Sequence, residues 1–382
     1  LALSAAAGHD NVVDALLAVS PADALPLAHD AARSRGHARV AEAIAAVAEA
    51  AGLTGLTQPA APPRGWPPLL DATHDPLLLV VDAADLERDP TLARRILGGD
   101  GAPPRAALVR GLARPWADQL GGASVDALRA AWGDRTVSVT FSPDELYQRG
   151  VAHPTHGRAL LAAHEETRTF GAFLDLAATH GDADYVSVSQ CEQALADFGL
   201  PAAPPIIAEQ LGLDPTATRS NLWATPAPKV SVLHHDTDDS MLLQFSGTKR
   251  FTVVAPCAHG MGVAPCAQRV ERRRRVAPGV YEAEASDDVS VNFPLLNISA
   301  YAKGDVDGFP LLRPERAFAV DVREGDALLL PAYWHHQVES LQHGRDPGKL
   351  NVAANYWFEA PGKSLDRRLL SVLAGPLAID FT

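Results

Sequence analysis

The chain has 382 residues, of which 47% are hydrophobic, and its formal net charge is −13 at pH 7. This length fits one large domain or two, with enough apolar side chains for a buried core. The acidic balance disfavours a nucleic acid partner, and no apolar run is long enough to span a membrane. The three cysteines, Cys191, Cys257 and Cys266, are too scattered for a disulfide framework. We therefore expect a protein of a reducing compartment, cytoplasmic or nuclear.

Residues 1–52 are rich in alanine and carry apolar residues three or four positions apart, which predicts helices. The pairs Gly8-His9 and Gly36-His37 each precede such a helix, and this arrangement resembles partial ankyrin repeats. A generic helical hairpin is the alternative. The chain starts with leucine instead of methionine, so we expect it to begin inside a longer protein. Residues 53–70 are rich in proline and predict a linker, which leaves residues 71–382 as the main domain.

The main domain has short apolar runs that are separated by turn signals. We predict strands at Lys229–Asp236, Met241–Phe245, Lys249–Val254, Ala327–Leu330 and Leu350–Phe358. Short strands at close spacing predict an all-β sandwich or barrel, so the fold class is mainly β. The basic run Arg272–Arg275 lies between turn-rich segments, and we expect it to be a solvated insertion loop.

These segments contain histidine and aspartate side chains of the kinds that bind metal ions. In a strand, residues two apart share a face, so His234 and Asp236 should point the same way. A second segment ends in His335-His336, about a hundred residues further along. Two histidines and one carboxylate form the facial triad of non-haem Fe(II) oxygenases. Spacing alone leaves the choice between His335 and His336 open.

The stretch from Ser231 to Phe358 resembles the jumonji-C, cupin-like core of the 2-oxoglutarate oxygenases. Its motifs are similar to the branch that includes the asparaginyl hydroxylase that inhibits hypoxia-inducible factor and the jumonji-C lysyl hydroxylase. The matching segments are His234–Asp236, Gly247–Arg250, Gly325–Ser340 and Asn355–Trp357. This resemblance implies a double-stranded β-helix, or jelly roll, with surrounding helices. It also implies Fe(II) and 2-oxoglutarate as cofactors and O2 as a co-reactant.

The resemblance also implies roles for single residues. The family pattern favours His336 over His335, so His234, Asp236 and His336 would be the metal ligands, with no further catalytic residue. The residues implied to bind 2-oxoglutarate are Lys249, Tyr185, Ser231, Asn355 and Ser240. Ser240 departs from the family, which usually has asparagine there, and this weakens the inference for cosubstrate orientation.

The predicted activity is hydroxylation of a protein or peptide side chain, with succinate and CO2 as coproducts. Two alternatives stay open at this point. A lysine demethylase would use the same chemistry, but many demethylases have glutamate at the position of Asp236 and carry extra zinc modules. The other alternative is a non-catalytic adaptor that binds a protein partner. The stretch Leu365–Leu377 predicts a helix, through which related hydroxylases form homodimers.

Overall fold

The structure is a computed structural model that describes residues 77–359. Within that range the described part leaves out residues 103, 121–123, 154–156, 190–194, 215–217, 256–267, 285, 287, 291, 295, 302–316 and 342–348. The predicted ankyrin-like segment 1–52, the linker 53–70 and the C-terminal helix at 365–377 lie outside the described residues. Among the described helices, none has the length and apolar character needed to cross a membrane.

Strands make up about half of the described part of the chain. They are β1 (Leu78–Asp82), β2 (Ala106–Arg110), β3 (Thr136–Ser142), β4 (Gln148–His153), β5 (Gly157–Ala162), β6 (His164–Thr169), β7 (Tyr185–Val188), β8 (Arg219–Thr225), β9 (Lys229–His234), β10 (Asp239–Ser246), β11 (Thr248–Val254), β12 (Gln268–Ala277), β13 (Val280–Glu284), β14 (Val289–Ser290), β15 (Ala317–Arg323), β16 (Ala327–Leu330), β17 (His335–Leu341) and β18 (Asn351–Phe358). The helices are α1 (Ala83–Arg88), α2 (Leu92–Ile96), α3 (Arg114–Gln119), α4 (Val125–Trp132), α5 (Phe170–Ala177), α6 (Pro205–Leu211) and α7 (Ile298–Tyr301). Two short 3-10 helices lie at Gly99–Gly101 and Leu195–Phe198.

Two sheets form the centre of the fold. A nine-stranded sheet has the order β1-β2-β16-β10-β18-β8-β7-β3-β6, and a four-stranded sheet has the order β15-β11-β17-β9. The predicted apolar runs at 241–245, 249–254, 327–330 and 350–358 all lie in these strands. The mainly β, jelly-roll prediction is therefore confirmed.

The nine-stranded sheet is covered on both faces. On one face, Met241, Leu243 and Phe245 of β10 pack into a core with the helices. On the other face, Leu242 packs toward the four-stranded sheet with Phe251. Every residue of β10 is buried, and a strand buried on both faces gives a continuous apolar run, as the sequence has here.

The chain passes between the two sheets at sharp corners. Gly247 lies between β10 and β11 with φ of 85°, and Gly325 lies between β15 and β16 with φ of 87°. Residues other than glycine are strained at such positive φ angles. At Gly325 an added Cβ would also lie 2.6 Å from the Arg114 guanidinium carbon. These corners place β10 and β11 opposite each other around one interior.

The expectation of a solvated loop at Arg272–Arg275 is wrong, because these residues lie in β12. This strand belongs to a five-stranded unit of β13, β12, β5 and β4, with β14 paired at its side. Arg272 and Arg274 are exposed and pair with Asp288 and Glu282, whereas Arg273 and Arg275 point the other way. The run of four arginines does not by itself reveal this strand, because the acidic partners lie further along the chain.

Leu243→Ala should lower the free energy of unfolding by about 2–5 kcal/mol, because it opens a cavity in a fully buried core position. Urea titration followed by circular dichroism measures this change. Val280 is 52% exposed, and Val280→Ala should shift stability by no more than about 0.5 kcal/mol. Equal effects of the two substitutions would contradict the described core.

Candidate metal centre

The pairing of β9 with β17 brings two histidines together. His336 of β17 is the register partner of His234, and their ring centroids lie 4.3 Å apart. Strand β9 ends at His234, so the expectation that it continues through Asp236 is wrong. Asp236 lies in the short connection between β9 and β10. There its main-chain oxygen accepts a hydrogen bond from the Tyr333 amide (2.8 Å), and its Oδ2 accepts one from Trp357 Nε1 (2.8 Å).

The three predicted ligands form one cluster. Among the described residues, His234, Asp236 and His336 are the group whose ligand atoms all lie close enough for one metal ion, within 4.8 Å of one another. His234 Nδ1 lies 2.7 Å from the Val232 carbonyl oxygen, and His336 Nδ1 lies 3.0 Å from that of Trp334. A carbonyl can only accept, so each Nδ1 carries the proton and each Nε2 keeps a free lone pair. This tautomer leaves Nε2 of both histidines available to bind a metal ion.

Charge in the cluster also suits a cation. Burial opposes ionisation of Asp236, but the neighbouring His336 and His234 rings and the Trp357 hydrogen bond hold its pKa below the usual range. Burial, followed by the nearby His234 ring, lowers the pKa of His336. The cluster at neutral pH is therefore one carboxylate with a neutral His336, a donor set that fits a divalent transition metal.

His335 lies on the opposite side of β17 from His336. It is fully buried, and its ring packs edge-on against His235 at a centroid distance of 5.1 Å. Successive strand residues face opposite ways, so both side chains of an adjacent pair cannot enter the same cluster. The fold thus places His336 with His234 and Asp236, as the family pattern implies.

A cavity opens from the cluster into the space between the two sheets. Its lining residues are the three clustered side chains together with Trp223, Ser231, Ser240, Leu242, Lys249, Phe251, Leu328, Leu330, Val338, Asn355 and Trp357. Four of the five residues predicted to bind 2-oxoglutarate, Lys249, Ser231, Ser240 and Asn355, are in this lining. The walls are otherwise mostly apolar, as in many small-molecule sites.

Tyr185 is the exception among the predicted residues. It does not line this cavity, and its half-buried ring packs edge-on against His180 at 4.9 Å. Its role toward a cosubstrate stays a prediction that the geometry does not support.

Lys249 is a buried cation inside the cavity. It is 6% exposed, and its Nζ donates to Ser340 Oγ at 2.7 Å. Among the described residues no carboxylate pairs with it, and burial by itself lowers the pKa of this amine to about 7. An unpaired charge is costly to bury, so the site favours an anionic ligand at Lys249.

The cavity has a deeper chamber that sequence reasoning missed. Its lining adds Tyr147, Ser187, Val188, Ala224, Thr225, Lys229 and Ser340. The strand alternation could have indicated two of these residues. Lys229 lies two residues before Ser231, and Ser340 lies four residues after His336, so each shares a face with a predicted site residue.

Comparison with known proteins agrees with this fold and site. Residues 106–364 match the cupin-like domain family, and the chain belongs to this family. A human relative, the bifunctional peptidase and (3S)-lysyl hydroxylase JMJD7, is 26% identical over 67% of this chain and 78% of its own. The lysine-specific demethylase JMJ31 of Arabidopsis thaliana is 25% identical over 37% of this chain and 21% of its own. The mouse tRNA wybutosine-synthesizing protein 5 is 28% identical over 35% of this chain and 32% of its own.

Lys249→Met should stabilise the ligand-free protein most at pH 7 and less at pH 9.5. The folded-state pKa is about 7 and the unfolded value is about 10.5, so between these values the unfolded chain binds more protons. The contribution of Lys249 to the free energy of unfolding is therefore unfavourable at pH 7 and becomes less so as the pH rises, by about 1.4 kcal/mol per pH unit. Urea unfolding of both proteins at the two pH values measures the difference. A stability difference that does not change with pH would contradict the buried, unpaired amine.

Proposed function

We propose that the chain is an Fe(II)- and 2-oxoglutarate-dependent dioxygenase that hydroxylates a protein side chain. The observation that supports it best is one cavity with two different ends. At one end are His234, Asp236 and His336, and further in is the buried Lys249 without an acidic partner among the described residues. A metal at the first end and a carboxylate at the second would satisfy both groups.

In this proposal His234, Asp236 and His336 hold the iron. When bound, Fe(II) supplies activation of O2 for oxidation of a C–H bond, coupled to decarboxylation of 2-oxoglutarate to succinate and CO2. Trp357 orients the Asp236 carboxylate through its indole N–H. Lys249 and Ser340 bind the far carboxylate of the cosubstrate. Phe251 and the apolar wall beside it exclude water, which strengthens these polar contacts.

The proposed substrate is a lysine, asparagine, aspartate, histidine or arginine side chain of a protein. A relative that matches 67% of this chain is named a bifunctional peptidase and (3S)-lysyl hydroxylase. The net charge of −13 favours a basic peptide over a polyanion. Three of the four arginines at 272–275 already pair with acids, so this run does not form an open basic patch.

Demethylation is the second candidate, because one relative is named a lysine-specific demethylase. Hydroxylation and demethylation share the first oxidation and differ in the product. The two activities are therefore distinguished by whether the product is a hydroxylated or a demethylated side chain.

His336→Ala should abolish stoichiometric binding of Fe(II) or Mn(II), because it removes one of three ligands. His335→Ala is the matched control, since its ring lies on the opposite face of the same strand and should leave the metal bound. Metal content after anaerobic loading and desalting is the measurement, with circular dichroism to verify folding. Loss of metal in the His335 variant and retention in the His336 variant would overturn the ligand assignment.

Incubation of the purified chain with Fe(II), 2-oxoglutarate, ascorbate and cell extract tests the activity. We expect succinate formation, and peptides that gain the mass of one oxygen atom on one of the proposed side chains. Peptide mass spectrometry identifies the modified residue, with the His336→Ala protein as the inactive control. Loss of a methylene mass from methylated lysine would establish the demethylase instead. Absence of succinate with metal bound would favour the non-catalytic adaptor.

A further inference from the structure

A second lysine lies beside Lys249 at the deep end of the cavity. Lys249 of β11 is the register partner of Ser340 in β17, and Ser340 is the register partner of Lys229 in β9. Directly paired residues of antiparallel strands project from the same face. With strands spaced by about 4.8 Å, the two lysines leave the sheet about 10 Å apart, on either side of Ser340.

Lys229 is as deeply buried as Lys249. Each is 6% exposed, and each lines the deep chamber. The Nζ of Lys229 donates to Ser142 Oγ at 2.7 Å, just as Lys249 donates to Ser340. These hydroxyl partners are neutral, and no salt bridge to either lysine occurs among the described residues. Both amines therefore lie in the cavity wall without a counter-ion.

The acidic residues near Lys229 do not compensate its charge. Asp144 already accepts hydrogen bonds from Arg149 Nη2 (2.7 Å) and from the Leu146 amide (3.0 Å). Burial is the largest influence on Lys229 and outweighs the attraction of Asp144 and Glu145, while the nearby Arg273 adds positive charge. Together these influences lower the pKa of Lys229 to about 7. An added anion would relieve this unfavourable environment.

We propose that Lys229 is a second cation for the far carboxylate of the cosubstrate, which would bind between Lys229 and Lys249. This inference rests on the proposed function. A carboxylate has two oxygens with several acceptor positions, so it can accept from both ammonium groups at once. The hydroxyl of Ser340 in the same lining accepts from Lys249 and can donate its own proton to a position that remains.

The test compares two ligands in the protein loaded with Mn(II) under anaerobic conditions. One is 2-oxoglutarate, and the other is 2-oxopentanoate, which has the same chain length but a methyl group in place of the far carboxylate. Lys229→Met should weaken 2-oxoglutarate binding by about tenfold or more, since a hydrogen bond to a charged group contributes about 1.5–3 kcal/mol. Binding of 2-oxopentanoate should change by less than about threefold, because it makes no contact with this cation. Isothermal titration calorimetry measures both affinities.

Two further variants separate binding from folding. Ser142→Ala removes the internal hydrogen-bond partner of Lys229 but keeps its charge, and it should retain 2-oxoglutarate affinity. Lys229→Gln repeats the loss of charge with a different side chain. The inference would be overturned if Lys229→Met weakened the binding of both ligands equally or left the binding of 2-oxoglutarate unchanged. It would also be overturned if neither Lys229 variant folded. The Lys249→Met protein distinguishes this result from failure of the proposed function. Unchanged 2-oxoglutarate affinity in the Lys249→Met protein would overturn the proposed function itself. Weakened affinity in Lys249→Met together with unchanged affinity in Lys229→Met would overturn only the inference about Lys229.

Discussion

The antiparallel pairing of β9 with β17 is the interaction on which the whole site depends. Three of its four register pairs contribute to the cavity lining: His234 with His336, Ser231 with Val338, and Lys229 with Ser340. An irregularity between the first two pairs lets residues three apart in β9 line one cavity. A slip of one residue would replace His336 by His335 and move every polar group to the outer face. The same hydrogen bonds that hold the sheet together therefore also determine which side chains form the candidate metal cluster.

The cost of burying charge explains the arrangement inside the cavity. The apolar walls come from strands of both sheets, and they remove water from Asp236, Lys229 and Lys249. The Asp236 carboxylate accepts a hydrogen bond from the indole N–H of Trp357, whereas the lysines have neutral hydroxyl partners. Unpaired buried cations reduce stability and increase the affinity for an anion, because binding supplies the missing counter-charge. The two buried lysines therefore lower the stability of the free protein and favour the binding of an anionic ligand.

The family relationship limits the chemistry more than it limits the substrate. Relatives of similar identity are named as a lysyl hydroxylase, a lysine demethylase and a tRNA-modifying protein. One fold can carry these different activities, because a fold does not by itself fix the function of the sites that it holds. For this chain, the partnered arginines of β12 and the acidic net charge are the features that favour a protein substrate.

The main strands, the mainly β class and a short set of candidate residues could be predicted from the amino-acid sequence, because apolar runs, turn residues and motif spacing are local properties. The sequence also indicated His234, Asp236 and Lys249 through their spacing and family motifs. The tertiary structure brought His336, which the family pattern had favoured, into the cluster. It also placed Asp236 after the end of β9, Tyr185 outside the cavity lining and Arg272–Arg275 in a strand. It alone brought Lys229 beside Ser340 and Lys249. Periodicity shows which residues of one strand share a face, but the register between strands that are distant in the chain decides which faces meet.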